Sequence, residues 1–324
     1  MPEIIVVEAT NRCNLNCKHC HKNINDMGGG TADIDLFLLD RVLGETERYN
    51  TRIVMVTGGE PTLHSDWEGL VAVLEKHDVD YVFTSNGTTF REAHKVLVRG
   101  ATDRFKGIMF SLDGAKAETN DAIRGEGTFD KVMGAFKLAR MHGIPFGIQT
   151  VLGSYNLEEL AEIGELAENE GAGELSFLVM KPTLENLEYK LSPMQADEAE
   201  QKIKAINEEH RRLKVGLTTG NKTPYPLFVC RSLAMTMIGI DSSGLLRFCP
   251  DLANYRGAVS DDSDIVVDLN TKPLQIALKD LSNKINLFWH KKIDWVMEGI
   301  VSSTEYDPCL YCLSHFGKYE SPEM

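Results

Sequence analysis

Apolar residues follow two rhythms over residues 3–181. Short runs read as strands: Glu3 to Ala9, Arg52 to Val56, Tyr81 to Thr84, Gly107 to Phe110, Phe146 to Leu152 and Leu175 to Met180. Brief apolar runs bounded by turn formers are what a buried strand needs. Between them the spacing turns helical, at Leu36, Leu39, Val42 and Leu43, at Leu70, Val73 and Leu74, and through Phe129 to Met141 and Leu157 to Glu170. Asp33 or Asp35 is placed to cap the first of these helices. Strand–helix alternation of this kind predicts a parallel sheet flanked by helices. Six such units are too few for the closed eight-unit barrel.

The rhythm changes after Met180. Asp197 to Leu213 is a strongly charged helix, and Thr218 to Pro226 clusters Thr, Gly, Asn and Pro as a linker would. Two short β-type runs then flank Asp241-Ser242-Ser243-Gly244, which reads as a hairpin. One or two amphipathic helices follow Pro273, through Leu274, Ile276, Leu278, Leu281, Phe288, Trp289 and Val296, a set expected to pack as core. The expected division is 1–181, a helical linker region at 182–222, and a smaller α+β unit with a β-hairpin and helices at 223–324.

Composition narrows the function. With 43% hydrophobic and 25% charged residues in 324, the chain is an ordinary globular one. Its net charge of -14 argues against nucleic acid and against an anionic membrane surface. The pairs Arg211-Arg212 and Lys291-Lys292 read as solvated helix faces. No run is long enough to span a membrane and no secretory leader precedes Glu3, so the expected place is the cytoplasm. Seven cysteines there point to metal or redox chemistry rather than disulfides.

Three of them, Cys13, Cys17 and Cys20, fall on the loop leaving the first strand, at spacing C-x3-C-x2-C. The C-terminal ends of strands are where α/β sheets bind ligands. Three thiolates on a short loop can hold three irons of a 4Fe–4S cluster and leave the fourth open. Zinc sites more often present paired C-x2-C halves. The second strand runs into Thr57-Gly58-Gly59-Glu60-Pro61, whose glycines let backbone approach a ligand closely. The third and fourth strands end in Ser85-Asn86-Gly87 and Ser111-Leu112-Asp113-Gly114, which also read as plain turns.

In this order these segments resemble the radical S-adenosylmethionine (AdoMet) superfamily, whose CxxxCxφC motif has an aromatic residue at φ, here His19. The resemblance implies a partial (β/α) barrel of six units. It implies that AdoMet chelates the open iron and is reductively cleaved to methionine and a 5′-deoxyadenosyl radical. It places Gly58, Gly59, Glu60 and Pro61 along the AdoMet amino group, accepted by the Glu60 side chain or by nearby backbone carbonyls. It puts Ser111 on the ribose, with Asn86 and Asp113 as further contacts, and Arg124 on the carboxylate, where a guanidinium fork fits. Adenine is expected near Leu178 or Met180.

Cys230 and Cys249 flank the hairpin, and Cys309 and Cys312 form a distant C-x2-C, a plausible four-thiolate site. It looks like the twitch domain, a shortened SPASM domain, which implies a second, fully ligated 4Fe–4S cluster in an electron-relay or structural role. Spacing alone leaves zinc open as well.

The expected function is therefore AdoMet cleavage followed by hydrogen abstraction, as an oxidative maturase of a peptide or protein. Tailoring of a sugar, tetrapyrrole or other small molecule is the alternative. An iron–sulfur electron carrier or zinc-stabilised binding module is the non-enzyme reading. An electron donor such as flavodoxin or ferredoxin is implied. Cys13 follows only 12 residues, so peptide recognition is expected from a separate protein or from the barrel mouth. Tyr155, Lys181 and Asp251 are candidates for an acid or base with no motif behind them.

Overall fold

A computed structural model describes residues 2–22, 32–218, 227–257, 263–299 and 308–319. The glycine-rich turn at 26–31 and most of the expected linker at 218–226 lie outside them.

Ten strands form one sheet in the order β10-β9-β8-β1-β2-β3-β4-β5-β6-β7. The first six are β1 (Ile4–Thr10), β2 (Ile53–Gly58), β3 (Asp80–Ser85), β4 (Phe105–Ser111), β5 (Phe146–Leu152) and β6 (Glu174–Val179). They pair in parallel with their sequence neighbours. The helices that cover them are α1 (Leu36–Thr46), α2 (Trp67–Lys76), α3 (Phe90–Gly100), α4 (Ala117–Arg124), α5 (Thr128–Met141) and α6 (Leu160–Asn169). Asp35 rather than Asp33 caps α1, accepting from Leu38 N at 2.8 Å. This is the expected open parallel barrel. Helices α3 and α4 are additions to the sequence expectation.

Alternation along the strands builds the core. Ile5, Val7, Val54, Val56, Tyr81, Phe83, Phe110, Ile148, Leu175 and Phe177 are fully buried, while Val6, Met55, Val82, Met109 and Ser176 between them are only partly so. Aromatic contacts link the helix layer to the sheet, as in Phe90 on Phe110 at 4.9 Å and Phe136 stacked on Phe146 at 5.2 Å. Each such ring stabilises the fold by about 1.5–3 kcal/mol through burial.

The stretch expected as a linker does more than connect. It holds α7 (Pro193–Glu209), opened by a Ser192/Gln195 capping box, and β7 (Lys214–Leu217), which extends the sheet beside β6. The C-terminal hairpin of β8 (Met237–Ile240) and β9 (Leu245–Arg247) joins the other edge, because β8 pairs in parallel with β1. β10 (Ile265–Asp268) closes that edge antiparallel to β9.

Two further helices follow among the described residues, α8 (Leu274–Met297) and α9 (Pro308–His315). Leu274, Leu278, Leu281 and Phe288 pack as core, but Ile276 is 44% exposed. The Lys291-Lys292 pair departs from its expectation. Lys291 is solvated, whereas Lys292, one step further round the helix, is fully buried with its ammonium among the rings of Trp289, Tyr311 and Phe288.

Candidate active site

The loop of Cys13, Cys17 and Cys20 leaves the C-terminal end of β1 and is held from three sides. The first hold is backbone to backbone. Gly59 N donates to Thr10 O at 2.8 Å and Glu60 N to Arg12 O at 2.7 Å. A Cβ at Gly58 would sit 2.3 Å from Thr10 O, and one at Gly59 2.1 Å from Arg12 O. Gly58 also has φ +137°, which side chains avoid. The two glycines are thus required by the approach of the cluster loop itself.

The second hold is Glu60, fully buried. Its Oε1 accepts from Ser85 Oγ at 2.8 Å and Thr62 Oγ1 at 2.7 Å, and its Oε2 from Asn86 N at 2.7 Å. Burial pushes this carboxyl up, against the pull of those hydrogen bonds. Both carboxylate oxygens are thus engaged from within the protein, Oε1 by two hydroxyls and Oε2 by a backbone N–H. Asn86 in turn donates to Asn14 Oδ1 at 3.0 Å and lies 3.9 Å from Cys13 Sγ.

The third hold is Asp113, fully buried. Its Oδ2 meets His19 Nε2 at 2.6 Å and Arg124 Nε at 2.6 Å, and Oδ1 accepts from Val151 N at 2.8 Å. Lys18 N donates to Ile123 O at 2.9 Å, so the end of α4 is tied to the loop by backbone as well. Ser111, at the end of β4, is partly exposed opposite Gln149 of β5. The neighbouring Thr150 is buried and donates to Leu112 O, so Gln149 is the one of the two open to the barrel interior.

Burial pushes the Cys13 thiol up to about 11 and the Cys17 thiol to about 12, with Cys20 adding to both. Three thiols that influence one another, on one loop at the open end of a barrel, are a donor set suited to an iron–sulfur cluster.

The four C-terminal cysteines also converge. Cys312 is pushed up first by burial and then by Cys249, Cys309 and Cys230. An aromatic cluster joins their supports: Phe248 on Phe288 at 5.1 Å, Tyr311 on Phe288 at 5.4 Å and Phe316 on Phe248 at 4.7 Å. Cys309 and Cys312 share one face of α9 because residues three apart do so on a helix. Four thiols within electrostatic reach of one another are a donor set suited to an iron–sulfur cluster, while no three or more His, Cys, Asp or Glu among the described residues are grouped to hold a single metal ion.

The two thiol sets are stapled together. His21 and Lys22, just after Cys20, lie along residues 250–256, just after Cys249. Arg256 N donates to His21 O at 2.8 Å. Lys22 Nζ donates to Glu8 Oε1 at 2.5 Å, Pro250 O at 2.8 Å and Ala253 O at 2.9 Å, and Asn254 Nδ2 donates to Glu8 Oε2 at 3.0 Å. Lys181, after β6, reaches Asp251 at 3.3 Å and Cys309 Sγ at 3.2 Å. Sequence spacing gives no hint of Glu8 or Lys22, since each is a lone charge beside an apolar run or a metal motif.

Residues 7–167 match the model of the radical SAM superfamily. This segment is a radical SAM domain. Mycofactocin maturase MftC of Mycobacterium tuberculosis is 34% identical over 172 residues, 53% of this chain and 43% of that relative. The AdoMet-dependent heme synthase of Methanosarcina barkeri is 29% identical over 188 residues, 56% of this chain and 52% of that relative. The chain thus matches about half the length of these curated relatives. Among solved structures, anSMEcpe with bound AdoMet and the Cp18Cys peptide superposes with a TM-score of 0.64 at 18% identity, over 88% of this chain and 82% of that one. That likeness extends the shared fold beyond the radical SAM domain into the C-terminal third. No helix among the described residues is long and apolar enough to cross a membrane.

Proposed function

We propose that this chain cleaves AdoMet reductively and uses the radical to oxidise a peptide or protein side chain. The observation that carries the proposal is the Cys13–Cys20 loop, clamped between the Gly58–Glu60 backbone and Asp113 inside a radical SAM domain. When bound, a 4Fe–4S cluster with one open iron supplies the electron for AdoMet cleavage to methionine and a 5′-deoxyadenosyl radical. Cys13, Cys17 and Cys20 hold it. The backbone of Gly58 to Pro61 receives the AdoMet amino group, while Glu60 and Asn86 fix that backbone and the cluster loop. Ser111 takes the ribose. Arg124 has its Nε committed to Asp113, so its terminal amino groups would meet the AdoMet carboxylate. Asp113 acts through His19 and Arg124.

Cys230, Cys249, Cys309 and Cys312 form the ligand set of a second, auxiliary 4Fe–4S cluster in this reading, within a unit of residues 223–324. Bound there, such a cluster would supply a one-electron acceptor for the substrate radical. A flavodoxin or ferredoxin would deliver the first electron, and a separate protein would present the peptide, in the cytoplasm. The maturase relative and the peptide held by anSMEcpe support a peptide substrate. The heme synthase relative supports a second reading, a tetrapyrrole substrate, on a smaller identity.

The test is formation of 5′-deoxyadenosine by anaerobically reconstituted protein with dithionite. Product from wild type and none from Cys17→Ala is expected. Absence from wild type carrying a full complement of iron defeats the proposal. Binding of a tetrapyrrole but of no peptide, with AdoMet present, favours the second reading.

A further inference from the structure

Lys181 and Asp251 carry no motif, yet the fold brings them to one place. Lys181 follows β6 at the C-terminal end of the barrel strands, and Asp251 stands two residues after Cys249. The Lys181 ammonium lies 3.3 Å from Asp251 Oδ2 and 3.2 Å from Cys309 Sγ. The cysteine it meets is 128 residues away in the chain, so no local pattern records the contact.

The backbone of Lys181 is fixed in turn to the first thiol loop. Asn186 is fully buried, and its Nδ2 donates to Lys181 O at 3.0 Å and to His19 O at 3.1 Å, while its Oδ1 accepts from Thr183 N at 2.7 Å. His19 stands between Cys17 and Cys20. One side-chain amide thus ties the first loop to the residue that reaches the second thiol site. With its backbone held there and its side chain only 13% exposed, Lys181 has little room to turn from Cys309 to water.

Two accounts of this ammonium compete. It can be half of a plain ion pair, with the sulfur a bystander, or a donor to the sulfur. Exposure separates them. The Asp251 side chain is 49% exposed, so solvent screens its charge, whereas the ammonium and the sulfur meet on the sheltered side.

We propose that Lys181 is a positioning residue for the group held by Cys230, Cys249, Cys309 and Cys312, whose N–H···S bond to Cys309 raises the reduction potential of that group. The inference rests on reading this site as a 4Fe–4S cluster. A metal-bound cysteine is a thiolate, and a hydrogen bond between charged partners is stronger than one between neutral ones. An added electron makes the sulfurs more negative, so the bond strengthens on reduction and the reduced state gains more. Hydrogen bonds to cluster sulfurs are among the levers that set cluster potentials. The assignment leaves Lys181 no part as a free acid or base.

The test is a redox titration with dithionite, followed by electron paramagnetic resonance, on the full chain reconstituted anaerobically. It compares wild type, Lys181→Met, Lys181→Gln and Lys181→Arg, and added AdoMet marks the signal of the first cluster by perturbing it. Lys181→Met is expected to lower the potential of the second cluster by a tenfold change in its reduction equilibrium or more, about 59 mV for a one-electron couple. Lys181→Gln falls between Lys181→Met and wild type, Lys181→Arg restores the potential, and the cluster of Cys13, Cys17 and Cys20 does not move. Lys181→Met with full iron and a wild-type potential overturns the proposal. Should Lys181→Met lose the second cluster, Lys181→Gln is read in its place, and a wild-type potential there overturns the proposal equally. Loss in both with retention in Lys181→Arg shows that the site needs a charged donor, as proposed. Loss in all three variants means that the shape of the segment decides, and the proposal falls. Wild type holding about four irons plus zinc defeats the two-cluster reading and the proposal with it, whereas about eight irons with an unmoved potential defeats the proposal alone.

Discussion

One carboxylate oxygen of Asp113 meets both His19 and Arg124, each at 2.6 Å. The contact joins three elements that are distant in sequence: the cluster loop after β1, the end of β4, and the last turn of α4. His19 occupies the position between Cys17 and Cys20, so its ring direction sets the path of the loop between two thiols. An ion contact at that point transmits the rigidity of the sheet to the metal ligands.

Asp113→Ala should therefore weaken both the fold and the first thiol site. Breaking a buried ion pair by removing one partner costs about 3–5 kcal/mol, because the other charge stays buried. We expect a lower thermal midpoint and a reduced iron content at Cys13, Cys17 and Cys20, with the second site still loaded. Thermal unfolding and iron analysis measure the two effects. A variant as stable and as iron-rich as wild type would show that Asp113 is only a turn former.

The same pair predicts a pH dependence. Burial pushes the Asp113 carboxyl up, but Arg124 and His19 outweigh it and hold it well below the usual carboxylate range. A carboxyl depressed in the folded state stabilises fully above its unfolded value of about 3.9. That contribution is lost as pH falls from there through the folded value. The stability gap between wild type and Asp113→Asn should be constant above about pH 5 and narrow only in more acidic solution. Denaturant melts at a series of pH values check this. A gap that closes on the alkaline side instead would contradict the assignment.

Gly59→Ala isolates the contact between the two loops. The new Cβ would stand 2.1 Å from Arg12 O, a backbone atom that can move only with the cluster loop. Overpacking of this kind costs typically about 1–3 kcal/mol. The expected result is a folded protein with impaired iron loading at the first thiol set and weaker AdoMet binding. Calorimetric titration with AdoMet reads the second effect. Wild-type binding with wild-type iron would mean the loops approach differently.

Much of the barrel is legible in sequence because its strands are buried and its helices one-sided. Trp67 to Lys76 and Phe146 to Leu152 fall where the periodicity puts them. The seven cysteines carry their own spacing. What is not legible arises from contacts with no local signature. β7 is a four-residue strand of alternating exposed and half-buried positions, too short to stand out after a charged helix. Glu60 reads in sequence as a group that can face AdoMet, and its bonds to Ser85 Oγ and Asn86 N, 25 and 26 residues away, have no local signature. Lys292 looks like half of a solvated pair, and only the three-dimensional arrangement of α8 and α9 buries it. Polar groups of this kind are placed by tertiary contacts, which a one-dimensional pattern does not record.

The staple between the two thiol sets yields the last prediction. Glu8 is buried on β1 and bonds both Lys22 and Asn254. Burial pushes its carboxyl up and Lys22 pulls it back. Glu8→Ala would leave the Lys22 ammonium on two backbone carbonyls and free Asn254, loosening residues 250–256 from the cluster loop. Cys249 is anchored at the start of that segment, while Cys13, Cys17 and Cys20 keep their holds on Gly59, Asn86 and Asp113. The second site should consequently lose metal, and the first should retain it. A matched pair of controls fixes the scale: Cys17→Ala removing the first site and Cys312→Ala the second. Glu8→Ala should resemble Cys312→Ala in metal content and still form 5′-deoxyadenosine, without coupling to product. If it instead behaves like Cys17→Ala, the staple serves the AdoMet site rather than the second one.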